Sequence, residues 1–133
     1  MVRDGEDATG VWVTSAADVF AEADGTVIFR FHERSRLDAV NTAELIRAHV
    51  AAAAGAKRPV LVDLRGLAWA DREARAMGAG KEPTSATSCM ALLVGNPVTR
   101  FLGNFFLSVT RPVFPTRIFT NEDEARAWLR HVR

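Results

Sequence analysis

Asp71 and Arg72 are the charged pair whose position most favours a functional role, because they directly follow the apolar stretch that ends at Ala70. A carboxylate beside a guanidinium can bind polar groups of a ligand or of another protein. Asp is also a preferred residue at the start of a helix, and the sequence REARAM that follows is rich in helix formers. The two roles are compatible, so the pattern predicts a helix cap at a sheet edge where ligands collect.

Other polar side chains are expected at the same edge, because they follow further apolar stretches of the chain. These are His32, Arg34, Arg36, Asn96 and Asn121. The loops beyond the carboxyl ends of parallel strands lie together, so these residues would form a polar rim with Asp71. The residue types in this rim do not identify a substrate.

The residues with the right chemistry for catalysis or metal binding lie in unsuitable contexts. Cys89 lies in the apolar stretch SCMALLVG, where burial would raise the pKa of its thiol and leave it unreactive. His32, His49 and His131 lack metal-ligand spacing, and GAGKEPTS has a lysine but not the spacing of a phosphate-binding loop. We therefore predict no catalytic residue, no metal and no cofactor.

The composition is that of one globular domain. The chain has 133 residues, of which 48% are hydrophobic, and a net charge of +1 does not favour a nucleic-acid partner. No apolar run approaches the ~18 residues of a membrane helix, so we predict no membrane insertion. The single cysteine cannot form an internal disulfide, which favours the cytoplasm. We predict one domain over residues 1–133, with the polar residues 1–9 flexible.

The N-terminal part is rich in residues typical of strands. VWVT at residues 11–14 and TVIFRF at residues 26–31 contain β-branched and aromatic residues, and Asp24-Gly25 is a good turn. We predict that these two segments pair as antiparallel strands. The intervening SAADVFAEA predicts either a helical turn or a strand.

Helices and buried strands then alternate along the chain. The predicted order is a helix that begins at Asn41, a strand over 60–64, a short helix after Asp71, a strand over 88–95, a helix that begins at Asn96, a strand near 117–119 and a closing helix capped by Asn121. Such alternation predicts an α/β fold with a mostly parallel central sheet of about five strands, an antiparallel N-terminal edge pair and about four helices.

The helix that begins at Asn96 contains an apolar stripe. Pro97 suits the first helical position, where its missing N–H is not needed. The stripe comprises Val98, Phe101, Leu102, Phe105, Phe106 and Val109. We predict that the stripe faces the core and that Arg100, Gly103, Asn104 and Leu107 lie on the exposed side.

The stretch LVDLRGLAWADREARAMGAG resembles the STAS domains of the SpoIIAA type, which are anti-sigma factor antagonists. In those domains a buried strand and a hydrophobic turn lead to an Asp-Ser pair that opens a helix, and Asp71 takes the aspartate position. LLVGNPVTRFLGNFF, FPTRIF and EARAWL resemble small bacterial proteins of uncharacterised function with STAS-like and CRAL-TRIO-like folds. Arg72 stands where the antagonists carry a phosphorylated serine, so the resemblance implies no phosphoswitch there.

Three kinds of function are compatible with these patterns. The resemblance favours a non-catalytic regulatory or protein-interaction module that forms a homodimer and binds a regulatory protein. The alternative is a carrier or sensor of an apolar small molecule or lipid in a CRAL-TRIO-like pocket. An enzyme that uses Asp71 or Glu73 as an acid ranks last, because no base, nucleophile or cofactor motif accompanies either residue.

The first two functions predict different sites. The predicted interaction surface comprises Asp71, Arg72, Arg75, Arg100, Gly103, Asn104 and Leu107. In this surface the small Gly103 would let a partner approach closely, and Leu107 would offer an apolar anchor. The predicted pocket for a small ligand comprises Trp69, Met77, Phe101 and Phe105.

Overall fold

A computed structural model describes residues 10–133, so the predicted flexibility of residues 1–9 lies outside the described residues. Within that range strands and helices alternate. The strands are β1 (Trp12–Val13), β2 (Ala17–Ala21), β3 (Val27–Phe31), β4 (Ser35–Leu37), β5 (Arg58–Asp63), β6 (Leu67–Ala70), β7 (Thr87–Leu93) and β8 (Thr116–Phe119). The helices are α1 (Ala39–Ala53), α2 (Arg72–Met77), α3 (Lys81–Ser85), α4 (Pro97–Phe105) and α5 (Glu122–Val132), and a π-helical turn (Phe106–Thr110) follows α4.

The central sheet contains six strands in the order β1-β2-β3-β5-β7-β8. The pairs β3–β5, β5–β7 and β7–β8 are parallel, whereas β1–β2 and β2–β3 are antiparallel. This architecture confirms the predicted α/β fold with a mostly parallel sheet and an antiparallel N-terminal edge. The predicted direct pairing of residues 11–14 with 26–31 is wrong, because the segment between them forms β2 and lies between the two strands.

Alternate residues of the central strands point to two apolar layers. In β5, Val60 and Val62 belong to the layer that also contains Leu45 of α1 and Leu102 of α4. Leu61 points the other way, into the layer that contains Leu129 of α5. Both layers are apolar, which explains why β5 and β7 are almost unbroken apolar runs in the sequence.

Helix α1 has its N-cap three residues earlier than predicted. Its N-cap is Asp38, whose side chain accepts a hydrogen bond from the Asn41 backbone N–H at 2.8 Å. Asn41, the predicted cap, is the reciprocal partner in the capping box, because its side-chain oxygen accepts from the Asp38 N–H at 2.8 Å. Asn41 and Glu44 have the spacing of a capping box, and so do Asp38 and Asn41. The sequence pattern therefore has two solutions here.

A second, two-stranded parallel sheet pairs β4 with β6, and no pattern in the sequence predicted it. The pairing leads directly into α2, because the Asp71 backbone N–H donates to the Leu37 carbonyl at 2.9 Å. The loop before β6 passes very close to the end of β3. A Cβ atom on Gly66 would lie 2.5 Å from the Phe31 carbonyl oxygen, so only glycine fits. This small sheet fixes where α2 begins.

Helix α4 and the turn after it match the predicted stripe only in part. Leu102 is buried and Phe106 packs against the core, but Val98 and Val109 are exposed. Thr99, Leu102 and Gly103 are the buried residues of α4, whereas Phe101 is 47% exposed. Gly103 allows this orientation, because a Cβ atom there would already lie 3.3 Å from side-chain atoms of Val94 and Ile118. The prediction relied on the large apolar residues of the helix. The helix instead packs closely against the sheet at Gly103, where a larger residue would not fit without rearrangement.

Candidate functional site

Asp71 performs its predicted capping role at the start of α2. Its side chain accepts a hydrogen bond from the Ala74 backbone N–H at 3.0 Å, and its backbone is extended, as in most N-caps. Asp71 and Arg72 are both exposed. Capping therefore uses one carboxylate oxygen of Asp71 and leaves the first turn of α2 accessible to a partner.

Arg75 packs against an aromatic cluster on the same side of the molecule. Its guanidinium carbon lies 4.6 Å from the centre of the Phe105 ring and 5.4 Å from the centre of the Trp69 ring. Trp69 in turn stacks on Phe101, with ring centres 5.8 Å apart and an interplanar angle of 10°. We call these four residues, Trp69, Arg75, Phe101 and Phe105, the aromatic–arginine patch.

The aromatic–arginine patch brings together residues that the sequence assigned to two different sites. Arg75 was predicted for the interaction surface, whereas Trp69, Phe101 and Phe105 were predicted for a pocket. In the structure Phe101 is exposed, and the other three residues are half-buried. A fixed aromatic surface with an arginine across it has the composition of the residues that dominate protein–protein binding. The patch is therefore a surface feature more than a pocket.

The other predicted surface residues have different environments. Arg100 and Asn104 are exposed on α4, and Leu107 is half-buried in the π-helical turn. Gly103 is buried against Val94 and Ile118, which corrects its predicted place on the exposed side. The face therefore lacks the small-residue groove that the sequence suggested.

An apolar cavity of about 160 Å³ lies beneath the patch, between the sheet and helices α1, α2 and α4. Of the predicted pocket residues, Phe105 lines this cavity, whereas Trp69, Met77 and Phe101 are not among the residues that form its wall. The wall is formed instead by side chains such as Phe29, Leu45 and Met90. The prediction placed the pocket one layer too far out, because it assumed that Phe101 faces the core.

Polar side chains in the cavity wall were not identified from the sequence as ligand contacts. Thr42 Oγ1, His49 Nε2 and Arg75 Nε are buried and make no hydrogen bond to other described protein groups, and all three residues line the cavity. Burial lowers the pKa of His49 to about 4, so its imidazole is neutral near pH 7. Helical spacing placed His49 among the apolar residues of α1, but only the tertiary fold shows that its nitrogen is unpaired.

The polar rim consists of separate local interactions. Asn96 and Asn121 cap α4 and α5, because their side chains accept from the backbone N–H groups of Thr99 and Glu124 at 2.9 and 3.0 Å. His32 Nε2 lies 2.9 Å from Asp18 Oδ1. Both predicted caps are confirmed. Each of these side chains already serves a structural contact.

An ion-pair network joins β3, β5 and α5 at the carboxyl edge of the sheet. Arg30 forms two hydrogen bonds to Glu122, at 2.8 and 2.9 Å, and a third to Asp63 at 2.9 Å. Arg65 and Arg126 extend the network. The Arg30 hydrogen bonds lower the pKa of Glu122 to about 2. The carboxylates are held ionised by arginines, which suits a structural cross-link and not a proton donor near pH 7.

Two further features bear on chemistry. Burial raises the pKa of the Cys89 thiol, as its apolar strand suggested. Among residues 10–133, no three His, Cys, Asp or Glu side chains are grouped so that they could hold a metal ion.

Within the same range, no helix has the length and apolar character needed to cross a membrane.

Two solved structures resemble this fold. An uncharacterised protein of the DUF3478 family with a SpoIIAA-like fold, from Shewanella loihica PV-4, is 16% identical over 86% of this chain and 92% of its own, with a TM-score of 0.62. An anti-sigma factor antagonist from Mycobacterium paratuberculosis is 17% identical over 94% of this chain and 98% of its own, with a TM-score of 0.59. The fold is thus SpoIIAA-like, as the sequence resemblance implied.

The curated proteins contain no match to this chain. A family model does match, and it spans residues 20–133, which include every described helix and all described strands but β1 and the first residues of β2. The model is described as a domain of unknown function, DUF7793. The chain therefore belongs to the DUF7793 family.

Proposed function

We propose that this protein is a non-catalytic regulatory module that acts by binding another protein through the aromatic–arginine patch. The exposed ring of Phe101, stacked on Trp69, is the observation that carries the proposal. An exposed aromatic ring that is already fixed by its neighbours loses little side-chain entropy on binding. Aromatic and arginine side chains in such positions supply much of the binding energy of protein interfaces.

The charges around the patch favour a partner with acidic as well as apolar side chains. Arg72 and Arg100 are exposed on the helices that carry Arg75 and Phe101. The exposed Asp71 and Glu73 lie at the start of α2, whereas no Asp or Glu occurs from Pro83 to Asn121, so the excess of positive charge lies on the α4 side of the patch. Opposite charges on the two surfaces would accelerate association and favour one orientation. We therefore propose a partner surface with an apolar centre and carboxylates at its rim.

The similarity to an anti-sigma factor antagonist supports a regulatory role, since that protein by its name acts against a regulatory protein. The resemblance to SpoIIAA-type antagonists implies a phosphorylated serine directly after the aspartate, at the position of Arg72 in this chain. Arg72 has no hydroxyl group and follows the cap Asp71 directly. We propose that binding by this chain does not depend on phosphorylation at this position.

We propose that the module has no enzymatic activity and works in the cytoplasm. The buried Cys89 has a raised thiol pKa, and the carboxylates at the sheet edge are paired with arginines. Such groups are poor nucleophiles and poor general acids near pH 7. The cytoplasmic location rests on the single cysteine, which needs no oxidising compartment.

Introduction of a negative charge into the patch tests the binding proposal. Phe101→Asp should reduce recovery of the specific partner from a lysate of the source cells and weaken its purified affinity at least tenfold, because hot-spot aromatics contribute about 2 kcal/mol or more. Val113→Asp is the matched control, since Val113 is 86% exposed in the loop between the π-helical turn and β8. Equal affinity of Phe101→Asp and wild type for that partner would refute the proposal.

Self-association is a separate proposal that involves the other exposed part of α4 and the following turn. Arg100 and Asn104 are exposed there, and Leu107 is half-buried. We propose a homodimer in which Leu107 is the apolar anchor. Native mass spectrometry of wild type and Leu107→Asp tests this contact, because a dimer that persists in the variant excludes Leu107 as the anchor.

The second candidate function is a carrier or sensor of an apolar small molecule, and the apolar cavity favours it. A volume of about 160 Å³ is below the roughly 300–1,000 Å³ of common drug-sized sites. The cavity therefore suits a small molecule better than a long-chain lipid. Phe105 lines the cavity and also belongs to the patch, so a ligand inside would contact the proposed binding surface from below.

A further inference from the structure

The cavity has the size and wall chemistry of a site for one small molecule. Its volume is about 160 Å³, and most of its wall comes from apolar side chains such as Phe29, Leu45 and Leu92. Apolar cavities of about 150 Å³ in proteins accommodate benzene. The dimensions therefore match a molecule that is about as large as one six-membered ring.

One residue of the wall also carries a buried polar atom that the protein does not satisfy by itself. His49 is 2% exposed and lines the cavity, and its Nε2 atom makes no hydrogen bond to other described protein groups. The ring is held on one side by an edge contact with Phe29, with centres 5.1 Å apart. A buried polar atom without a partner is costly, so it marks a place where a partner is expected.

The other two unpaired atoms, Thr42 Oγ1 and Arg75 Nε, belong to side chains that can make other interactions within the protein. The Thr42 hydroxyl can turn to the carbonyl of Asp38, the N-cap residue four positions earlier, which is a common contact for threonine in helices. Arg75 is half-buried, and its guanidinium packs on the rings of Phe105 and Trp69. His49 is thus the side chain most dependent on a partner from the cavity.

The state of His49 limits the chemistry of that partner. Burial keeps the imidazole neutral, so Nε2 is a donor in one tautomer and an acceptor in the other. A hydroxyl group can accept from the first tautomer and donate to the second. A charged group would instead lose its hydration among the apolar side chains of the wall.

We propose that the cavity binds a neutral molecule about the size of one six-membered ring, with a hydroxyl group that hydrogen-bonds to His49 Nε2. This inference rests on the second candidate function and names the ligand class that such a carrier or sensor would take. Alcohols on a single aromatic or aliphatic ring are the simplest members of the class. Phenol is the first probe, and benzene is its matched apolar control.

Titration of the wild-type protein with each probe, followed by NMR, tests the proposal. We expect phenol to bind roughly five to ten times more tightly than benzene, the effect of one hydrogen bond. Phenol should also shift the ring nitrogen resonances of His49, whereas both probes should shift resonances of the wall residues Leu45 and Leu92. In His49→Leu, phenol should lose its advantage while benzene still binds, because leucine keeps the wall apolar.

The possible results separate this inference from the function on which it rests. Equal binding of phenol and benzene to the wild type would refute hydroxyl recognition by His49 and leave an apolar carrier in place. Binding of neither probe at millimolar concentration would refute both. Tighter binding of benzoate than of phenol would overturn the neutral class and assign recognition to Arg75. The wild-type comparison of the probes remains decisive even if His49→Leu does not fold.

Discussion

His49 is a histidine that the fold keeps neutral and almost completely buried. Burial lowers its pKa from 6.5 to about 4. The unfolded chain therefore takes up a proton near pH 6.5, whereas the folded chain resists protonation until about pH 4. The stabilisation associated with neutral His49 is present above pH 6.5 and declines as the pH falls towards 4.

His49→Leu should remove this part of the pH dependence. In the wild type, His49 should account for a loss of roughly 3 kcal/mol in the free energy of unfolding between pH 6.5 and 4, from about 1.4 kcal/mol per pKa unit. Urea unfolding at a series of pH values measures the loss. His131→Leu is the control, since His131 is exposed. The same slope in His49→Leu and wild type would contradict the assignment.

Single residues could be predicted from the sequence where local chemistry decides their role. Asp71, Asn96 and Asn121 were predicted as caps and are caps, because a cap depends on only four or five consecutive residues. The unpaired nitrogen of His49 could not be predicted in this way. It depends on the side chains that α1 meets across the cavity, and helical spacing alone does not name them.

Helix α4 shows how an element can be predicted correctly and oriented incorrectly. Its beginning follows from Asn96 and Pro97, which cap and open the helix. Its buried face depends on Gly103, which contacts Val94 and Ile118. Val94 directly follows β7, and Ile118 belongs to β8. Apolar periodicity finds the largest residues on a helix, but it does not account for close packing through a residue without a side chain.

Gly103→Val should therefore destabilise the protein by about 1–3 kcal/mol, the usual cost of overpacking a filled core. A Cβ atom at this position is already 3.3 Å from its neighbours, and valine adds two more methyl groups. Asn104→Val is the matched control, because it places the same β-branched residue at an exposed position of the same helix. Thermal or urea unfolding measures the stability of both variants. Equal stability of the two variants would mean that α4 does not pack through Gly103.

The ion-pair network is a second contact between elements that the sequence did not reveal. Arg30 of β3 and Glu122 of α5 are 92 residues apart in the chain and form two hydrogen bonds. Because the folded pKa of Glu122 is about 2 and its ordinary value is 4.5, the stabilisation is present above pH 4.5 and is lost as the pH falls to 2.

Glu122→Gln should lower the free energy of unfolding by about 1–2 kcal/mol at pH 7, since hydrogen bonds between charged groups are lost. Near pH 2 the variant and the wild type should be equally stable. Glu124→Gln removes the same charge from the same helical turn at an exposed position and serves as the control. A deficit that is independent of pH would show that the charge of Glu122 is not responsible.

The order of the larger elements followed from the sequence more readily than these contacts did. The alternation of apolar runs and capped helices predicted the α/β class and the parallel sheet, because each run is long enough to carry its own signal. The strands β4 and β6 have only three and four residues. Their pairing depends on the close passage of the chain at Gly66, and so no local pattern indicates it.

At the scale of the whole molecule, the fold creates a surface and a cavity that share a wall. Helix α2 carries Arg75 of the aromatic–arginine patch, and α4 carries Phe101 and Phe105. Arg75 and Phe105 also line the cavity. The sequence named all the patch residues but divided them between two sites, because their proximity depends on the orientation of α4. This fold thus places the exposed Phe101 beside the helix that Asp71 begins.

Hydrogen–deuterium exchange on the complex with the purified partner tests the central claim most directly. If the partner binds the aromatic–arginine patch, backbone protection should increase in residues 67–77 and 97–105, which contain β6, α2 and α4. The same segments should show no added protection when the partner is mixed with Phe101→Asp. Protection confined to α5 or to β1 and β2, with residues 67–77 and 97–105 unchanged, would contradict the proposed function.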